Sequence, residues 1–376
     1  MKSTAGIIFS NLNDNTLSRL TADRTVAAIP FGCRYRLVDF ALSNMINAGI
    51  TAISIIANYN YRSLTEHIGS GKDWDLARRE GGISFVSPYK TARTPNAAMY
   101  SHHLEALKNM QELIREIKQE YVVLSDTDNL CNIPLTEVLE QHEATGASVT
   151  MVCAECTPDF TSKTPGMMVQ SDETGKITRI IKSDKYVDGY IRFANIYVMR
   201  TDYLVNLIDE AFAQNHDSLS EDIMMREPEK QNFYVYCHKG TVAPVSSFQD
   251  YYKHSIALAT DPAFRRELFG EKERPIYTNV HNSPPVRYVD GATVKNSMIA
   301  DGCVIEGTVE NSILFRGVKI GKGAVVKNSV LFAGTEIGDG STIQCVVADK
   351  YVSVSAHSQL SGAPTLPFFI CKGRKV

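Results

Sequence analysis

From Val289 onward the aliphatic residues recur at six-residue spacing: Ile299 and Ile305, then Leu314, Ile320 and Val326, then Ile337 and Ile343. Small or turn-forming residues fall between them, among them Asp301-Gly302, Gly321-Lys322-Gly323 and Asp339-Gly340. A hexad with one inward aliphatic per face is the signature of a parallel β-helix with triangular coils. One coil cannot bury its apolar side alone, so stacking is obligatory. The stretch from Val289 to Val354 predicts a left-handed parallel β-helix of roughly three to four coils that needs closing at its ends.

Upstream, through about Leu258, the pattern is different. Apolar, β-branched runs at 51–58, 120–126, 147–154 and 193–199 read as buried strands of a sheet covered on both faces. Between them, 39–49, 101–119 and 135–146 carry apolar residues at helical spacing. This alternation predicts an α/β domain with a doubly wound, mostly parallel sheet and a ligand crevice at the carboxyl ends of its strands. The expected organisation is an α/β domain over 1–258, a charged, Pro-containing linker over 259–288, and the hexad domain over 289–376.

The net charge of -3 leaves no broad basic field, so no nucleic-acid partner is expected. No apolar run is long enough for a bilayer, and the N-terminal stretch MKSTAGIIFSNLND is too short in apolar residues for a signal peptide. A cytoplasmic protein with reduced thiols is the expectation. Cys153 and Cys156 have C-x-x-C spacing inside a strand-like run, with no second pair to make a zinc site.

The first strand, Ala5 to Ile8, runs into Phe9-Ser10-Asn11-Leu12-Asn13-Asp14-Asn15, and no Gly occurs between Ile7 and Phe31. A phosphate-cradling turn needs Gly, because a Cβ blocks both φ > 0 and the approach of backbone N–H groups to phosphate.

The segment from Arg24 to Asn44, with its Pro30-Phe31-Gly32, Tyr35-Arg36 and Asp39-Phe40-Ala41-Leu42-Ser43-Asn44, closely resembles the ADP-glucose pyrophosphorylases (glucose-1-phosphate adenylyltransferases). The likeness runs through nearly the whole chain. It implies the two-domain fold and, for active members, transfer of the adenylyl group of ATP to glucose 1-phosphate on Mg²⁺ held by two aspartates. Measured against that family, this chain departs at each chemical position. The glycine-rich loop survives only in its closing Arg19-Leu20-Thr21, and the family's Lys-Pro-Ala reads Val26-Ala27-Ala28. At the metal-binding strand end stands Leu124-Ser125-Asp126-Thr127-Asp128-Asn129, where Asp126 and Asp128 are vestigial candidates. The sugar-binding Glu and phosphate-binding Lys read Lys182 and Ser183, and the second metal aspartate is lost in Pro244-Val245-Ser246-Ser247.

Phosphoryl transfer depends on positioning and charge neutralisation, so several lost clamps together should disable it. The resemblance and its gaps imply a non-catalytic or weakly active regulatory subunit of the GlgD type. Such a subunit needs no metal or cofactor of its own, Mg²⁺ belonging to a catalytic partner in a mixed tetramer. The alternative is an active adenylyltransferase with a remodelled loop. Arg24, Arg34, Arg36 and Lys182 are the candidate cations for a sugar-phosphate effector, and ordinary ion pairing is the competing reading for each. Trp74 lies in a Trp-Asp-Leu stretch like one in the family, which marks it as either packing or effector-linked. His102-His103 follow Pro95–Met99, which stands where relatives contact the nucleotide. Adjacent His on a helix face apart, so no paired metal site is expected there.

Overall fold

The computed structural model describes residues 3–10, 14–57, 59–86, 100 and 102–376. The turn glycines' replacements Asn11 to Asn13, and Pro95–Met99, lie outside the described residues.

The N-terminal half forms β1 (Thr4–Phe9), α1 (Leu37–Asn47), β2 (Ala52–Ile56), β3 (Gly82–Val86), α2 (His103–Asn109), β4 (Tyr121–Asp126), α3 (Leu135–Thr145) and β5 (Val149–Ala154). A hairpin of β6 (Thr161–Ser171) and β7 (Ile177–Lys185) follows, then β8 (Ile191–Arg200), α4 (Thr201–Gln214), β9 (Phe233–His238), α5 (Phe248–Thr260) and α6 (Pro262–Phe269). The central sheet runs β3-β2-β1-β4-β8-β5-β9, with the hairpin attached to β8. Its β1, β2, β3 and β4 are mutually parallel, as are β5 and β9. Only β8 in this row runs the other way, antiparallel to β4 and β5. That inversion matters for the site, since it brings the first residues of β8 to the edge where the neighbouring strands end.

The strands read as continuous apolar runs because both faces are covered. Ile7, Val122, Leu124, Met151 and Phe193 pack under α2 and α4, while Ile8, Val123, Val152 and Val198 pack under α1 and α3. Gly6 lets α1 approach closely: a Cβ there would come within 2.4 Å of the Met45 sulfur. The helical stretch expected over 101–119 is split at Met110, with a second short helix from Gln111 to Arg115.

The C-terminal half is a parallel β-helix of three five-stranded sheets. Ile305, Ile320, Ile337 and Val354 stack in register in one sheet, and Val309, Val326, Ile343 and Leu360 in the next. The hexad reading holds for two of the three faces. At the third corner the step is shorter, and equivalent serines are 15 or 17 positions apart. Asn296, Asn311 and Asn328 take positive φ there, a conformation Asn tolerates better than most residues. Ser297, Ser312 and Ser329 follow them and form a ladder: each of the first two hydroxyls accepts the next serine's backbone N–H, at 3.1 Å, and Ser329 accepts that of Val346 at 3.2 Å. The solenoid has five layers and reaches Ile370, beyond the three to four coils expected, because Phe368–Ile370 supplies the last strand of the third sheet. The backbone of Arg374 to Val376 then bonds to Ser353 and Ser355 across the end of the first sheet.

Residues 259–288 are not a free tether. Helix α6 occupies Pro262–Phe269, capped by Asp261, and the extended chain after it is fastened to the α/β domain by Asn47, Asn132, Ser43 and the carbonyl of His67. The two halves also share one apolar cluster, in which Phe31, Phe40 and Tyr251 meet Phe315, Phe332 and Val347. Beside it Arg24 is buried in an ion pair with Asp349 at 2.7 Å.

Candidate functional site

The carboxyl edge of the sheet carries the cleft. Asp126 closes β4 and is buried, and its Oδ1 lies 2.7 Å from Nε2 of His103 at the start of α2. The His103 ring packs edge-on against Phe9, the last residue of β1. Burial disfavours the charged imidazole, but the Asp126 carboxylate, its hydrogen bond and Asp128 beyond it outweigh that and raise the pKa of His103 above the ordinary histidine value. Asp128 is also buried, and accepts from Asn129 Nδ2 at 2.8 Å and Asn195 Nδ2 at 3.2 Å.

Both carboxylates are already engaged by side chains. One is bound by an imidazole and the other by two amides. The hydroxyls of Ser246 and Ser247 both donate to Asp250. Among the described residues no three His, Cys, Asp or Glu side chains gather where a metal ion would need them. Lys182, which lines the cleft, is held in an ion pair with Glu221.

The four cations singled out from the sequence do not converge. Lys182 lines the cleft. Arg24 is committed to Asp349, with its guanidinium over the Phe332 ring, and belongs to the joint between the domains. Arg34 and Arg36 line a second cavity of about 560 Å³ at the seam between the α/β domain and the β-helix. Facing them there are Arg316 and Lys350 from the β-helix, together with His67 and His281. Arg316 is paired with Asp301 at 3.2 Å. Burial, then the charges of Arg36 and Arg24, push Lys350 down to about 8, against the weaker pull of Asp349. Burial likewise brings Arg36 down to about 10, with Asp39 opposing. His67 donates its Nε2–H to Asp39 Oδ1, 2.7 Å away, and burial holds its pKa below the usual value. Trp74 packs edge-on against His67 with ring centroids 5.7 Å apart.

Sequence reasoning missed His103, Arg192, Arg316 and Lys350. His103 was visible only as one of a pair without a shared face. Its role depends on a carboxylate from a different strand. Arg192 opens β8 and reaches the cleft because that strand is antiparallel; its Cα partner is Ala154, the last residue of β5.

Comparison with known proteins agrees with this architecture. Residues 13–259 match the nucleotidyl transferase family model, and 284–363 match the GlmU-like C-terminal hexapeptide model. The glycogen biosynthesis protein GlgD of Bacillus subtilis (strain 168) is 36% identical over 98% of this chain and 95% of its own length. GlgD of Geobacillus stearothermophilus is 35% identical over 85% of this chain and 82% of its own. The glucose-1-phosphate adenylyltransferase of Thermosipho africanus is 31% identical over 87% of this chain and 78% of its own. No helix among the described residues is long and apolar enough to cross a membrane. With its sheet, its hexad solenoid and its sequence all pointing the same way, the chain belongs to the nucleotidyl transferase family, in the group that contains GlgD and the glucose-1-phosphate adenylyltransferases.

Proposed function

We propose that this chain is a regulatory subunit of ADP-glucose pyrophosphorylase in bacterial glycogen biosynthesis. It acts in the cytoplasm on a catalytic paralogue that carries the Mg²⁺ and makes ADP-glucose and pyrophosphate from ATP and glucose 1-phosphate. The observation that carries the reading is that both vestigial metal candidates are already engaged, Asp126 by the His103 imidazole and Asp128 by the Asn129 and Asn195 amides. The ion-paired Lys182 and the serine-bound Asp250 support it, because they leave the sugar clamp and the second metal position without their chemistry.

A subunit without turnover influences its partner only by binding one of the partner's states better than another. The seam cavity suits that role, since Arg34 and Arg36 come from one domain and Arg316 and Lys350 from the other. A sugar-phosphate effector bridging them would couple its own charge to the angle between the domains. The mixed tetramer is part of the same proposal. The test is to purify the chain and supply ATP, glucose 1-phosphate and Mg²⁺. Pyrophosphate release at background, with a changed rate or effector response when the catalytic paralogue is added, supports the reading. Turnover at an ordinary enzyme rate by the chain alone refutes it.

A further inference from the structure

The last coil of the β-helix is covered on one of its three sides. Among the described residues, Arg374 to Val376 lie along the final strand of the first sheet, whereas Gln359–Ser361 and Phe368–Ile370, the final strands of the other two sheets, have a neighbour on one edge alone. Such an edge offers backbone donors and acceptors to another chain. The apolar interior is open there as well. Phe368 pairs in register with Val346, which is fully buried, yet Phe368 itself is 45% exposed because no further layer of the described chain stands over it. Leu366, in the turn before it, is 60% exposed. With Ala363 and Pro367 these residues line a hollow of about 760 Å³, whose other wall is Arg19 and Ala22 at the short helix Ser18–Thr21 of the α/β domain. A repeat cannot bury its apolar side alone, and an exposed core joined to open strand edges marks a place of association.

The charge at this end is of one sign. From Tyr351 to Val376 the chain holds no Asp or Glu, but it carries Lys372, Arg374 and Lys375, all exposed. Arg19 adds a fourth exposed cation at the wall of the hollow. The carboxylate that meets them is Asp23, 3.9 Å from Lys372 in an exposed pair of little strength. The first coil, by contrast, mixes Arg287, Asp290 and Lys295, and the whole chain is net acidic at -3. Two copies meeting through the last coil about a two-fold axis would therefore set cations against cations. A surface with the opposite rim is drawn in instead.

We propose that the last coil is a docking surface for a different protein chain, one that presents an apolar centre ringed by Asp and Glu. The basic rim keeps copies of this chain from pairing through the same end. The partner is the catalytic paralogue of the regulatory reading, on which this inference rests. Because the hollow is walled by Arg19 and Ala22 on one side and by the last coil on the other, the docked partner touches both domains at once.

The experiment is sedimentation velocity of the full chain, alone and mixed with the catalytic paralogue from its own genome, at low and at high salt. A mixed complex that weakens as salt rises is expected. Leu366→Ser combined with Phe368→Ser should weaken it by roughly tenfold or more. Should that variant not fold, the exposed triple change Lys372→Glu, Arg374→Glu and Lys375→Glu leaves the core untouched; it should weaken the complex by a similar factor and remove its salt dependence. A mixed complex indifferent to salt overturns the acidic-rim assignment. Self-association of the chain that the Leu366 and Phe368 changes abolish makes a second copy the occupant and overturns the proposal. A mixed complex of unchanged affinity in both variants places the contact elsewhere and overturns the proposal, while the regulatory reading stands. Absence of any mixed complex overturns both.

Discussion

The Arg24–Asp349 pair offers a quantitative check on how the domains are joined. Both side chains are nearly sealed, at 3% and 7% relative exposure. Arg24 Nη2 meets both carboxylate oxygens, at 2.7 and 3.0 Å, and its Nη1 donates to the Leu20 carbonyl at 3.3 Å. Replacing Arg24 with Met keeps much of the side-chain volume but leaves Asp349 buried without its counter-ion. Breaking a buried pair in this way costs about 3–5 kcal/mol. Lys350 is the next residue and attracts the same carboxylate, and the backbone N–H of Lys350 bonds to it, so the lower end, about 3 kcal/mol, applies. The double change Arg24→Met with Asp349→Leu removes both charges and should recover most of the loss. Equilibrium urea unfolding followed by circular dichroism gives both values, provided one cooperative transition is seen. The shared aromatic cluster predicts that it will be. A single mutant within about 1 kcal/mol of the parent would show that the pair does not clamp the domains. A double mutant no better than the single would refute the desolvation argument.

Two further outcomes can be stated from the same structure. Lys350 is held near 8, below its ordinary 10.5, so the folded state favours its neutral form. Its charging therefore opposes folding fully below about 8, and the penalty fades as pH rises toward 10.5. An anion at the seam reverses the preference: binding takes up a proton near pH 8 and weakens as pH climbs above it. Titration with a sugar phosphate on either side of that pH measures this, and Lys350→Gln should flatten the profile; a flat profile in the parent refutes it. In the β-helix, Ser312→Ala removes the acceptor of the buried Ser329 N–H, and a loss of about 1–3 kcal/mol in urea unfolding is expected. A change within error would mean the serine ladder contributes no net stability.

What could be read in the chain depends on the distance over which each feature is determined. The hexad aliphatics Ile305, Ile320, Ile337 and Ile343 announced the solenoid because their role repeats locally, and all are buried in its core. The asparagine corners were harder, since a shortened step looks like lost periodicity until Asn311 and Asn328 are seen in the same left-handed conformation. Charge and proline marked 259–288 as a linker, without showing how it is held. Tertiary hydrogen bonds from Asn47, Asn132 and Ser43 fix that segment to the α/β domain. Arg24 was singled out for anions on charge alone. Its partner lies 325 positions away, beyond any local pattern. Arg192 and His103 were illegible for the same reason: their meaning comes from an antiparallel strand and from a helix turned onto another strand's last residue.

Trp74 is the sole tryptophan of the chain, and it leans on His67, whose imidazole borders the seam cavity. The protein thus carries an intrinsic fluorophore one ring away from the place where an effector would dock. Emission intensity becomes a direct optical readout of occupancy at that boundary, obtainable without labels or mutations.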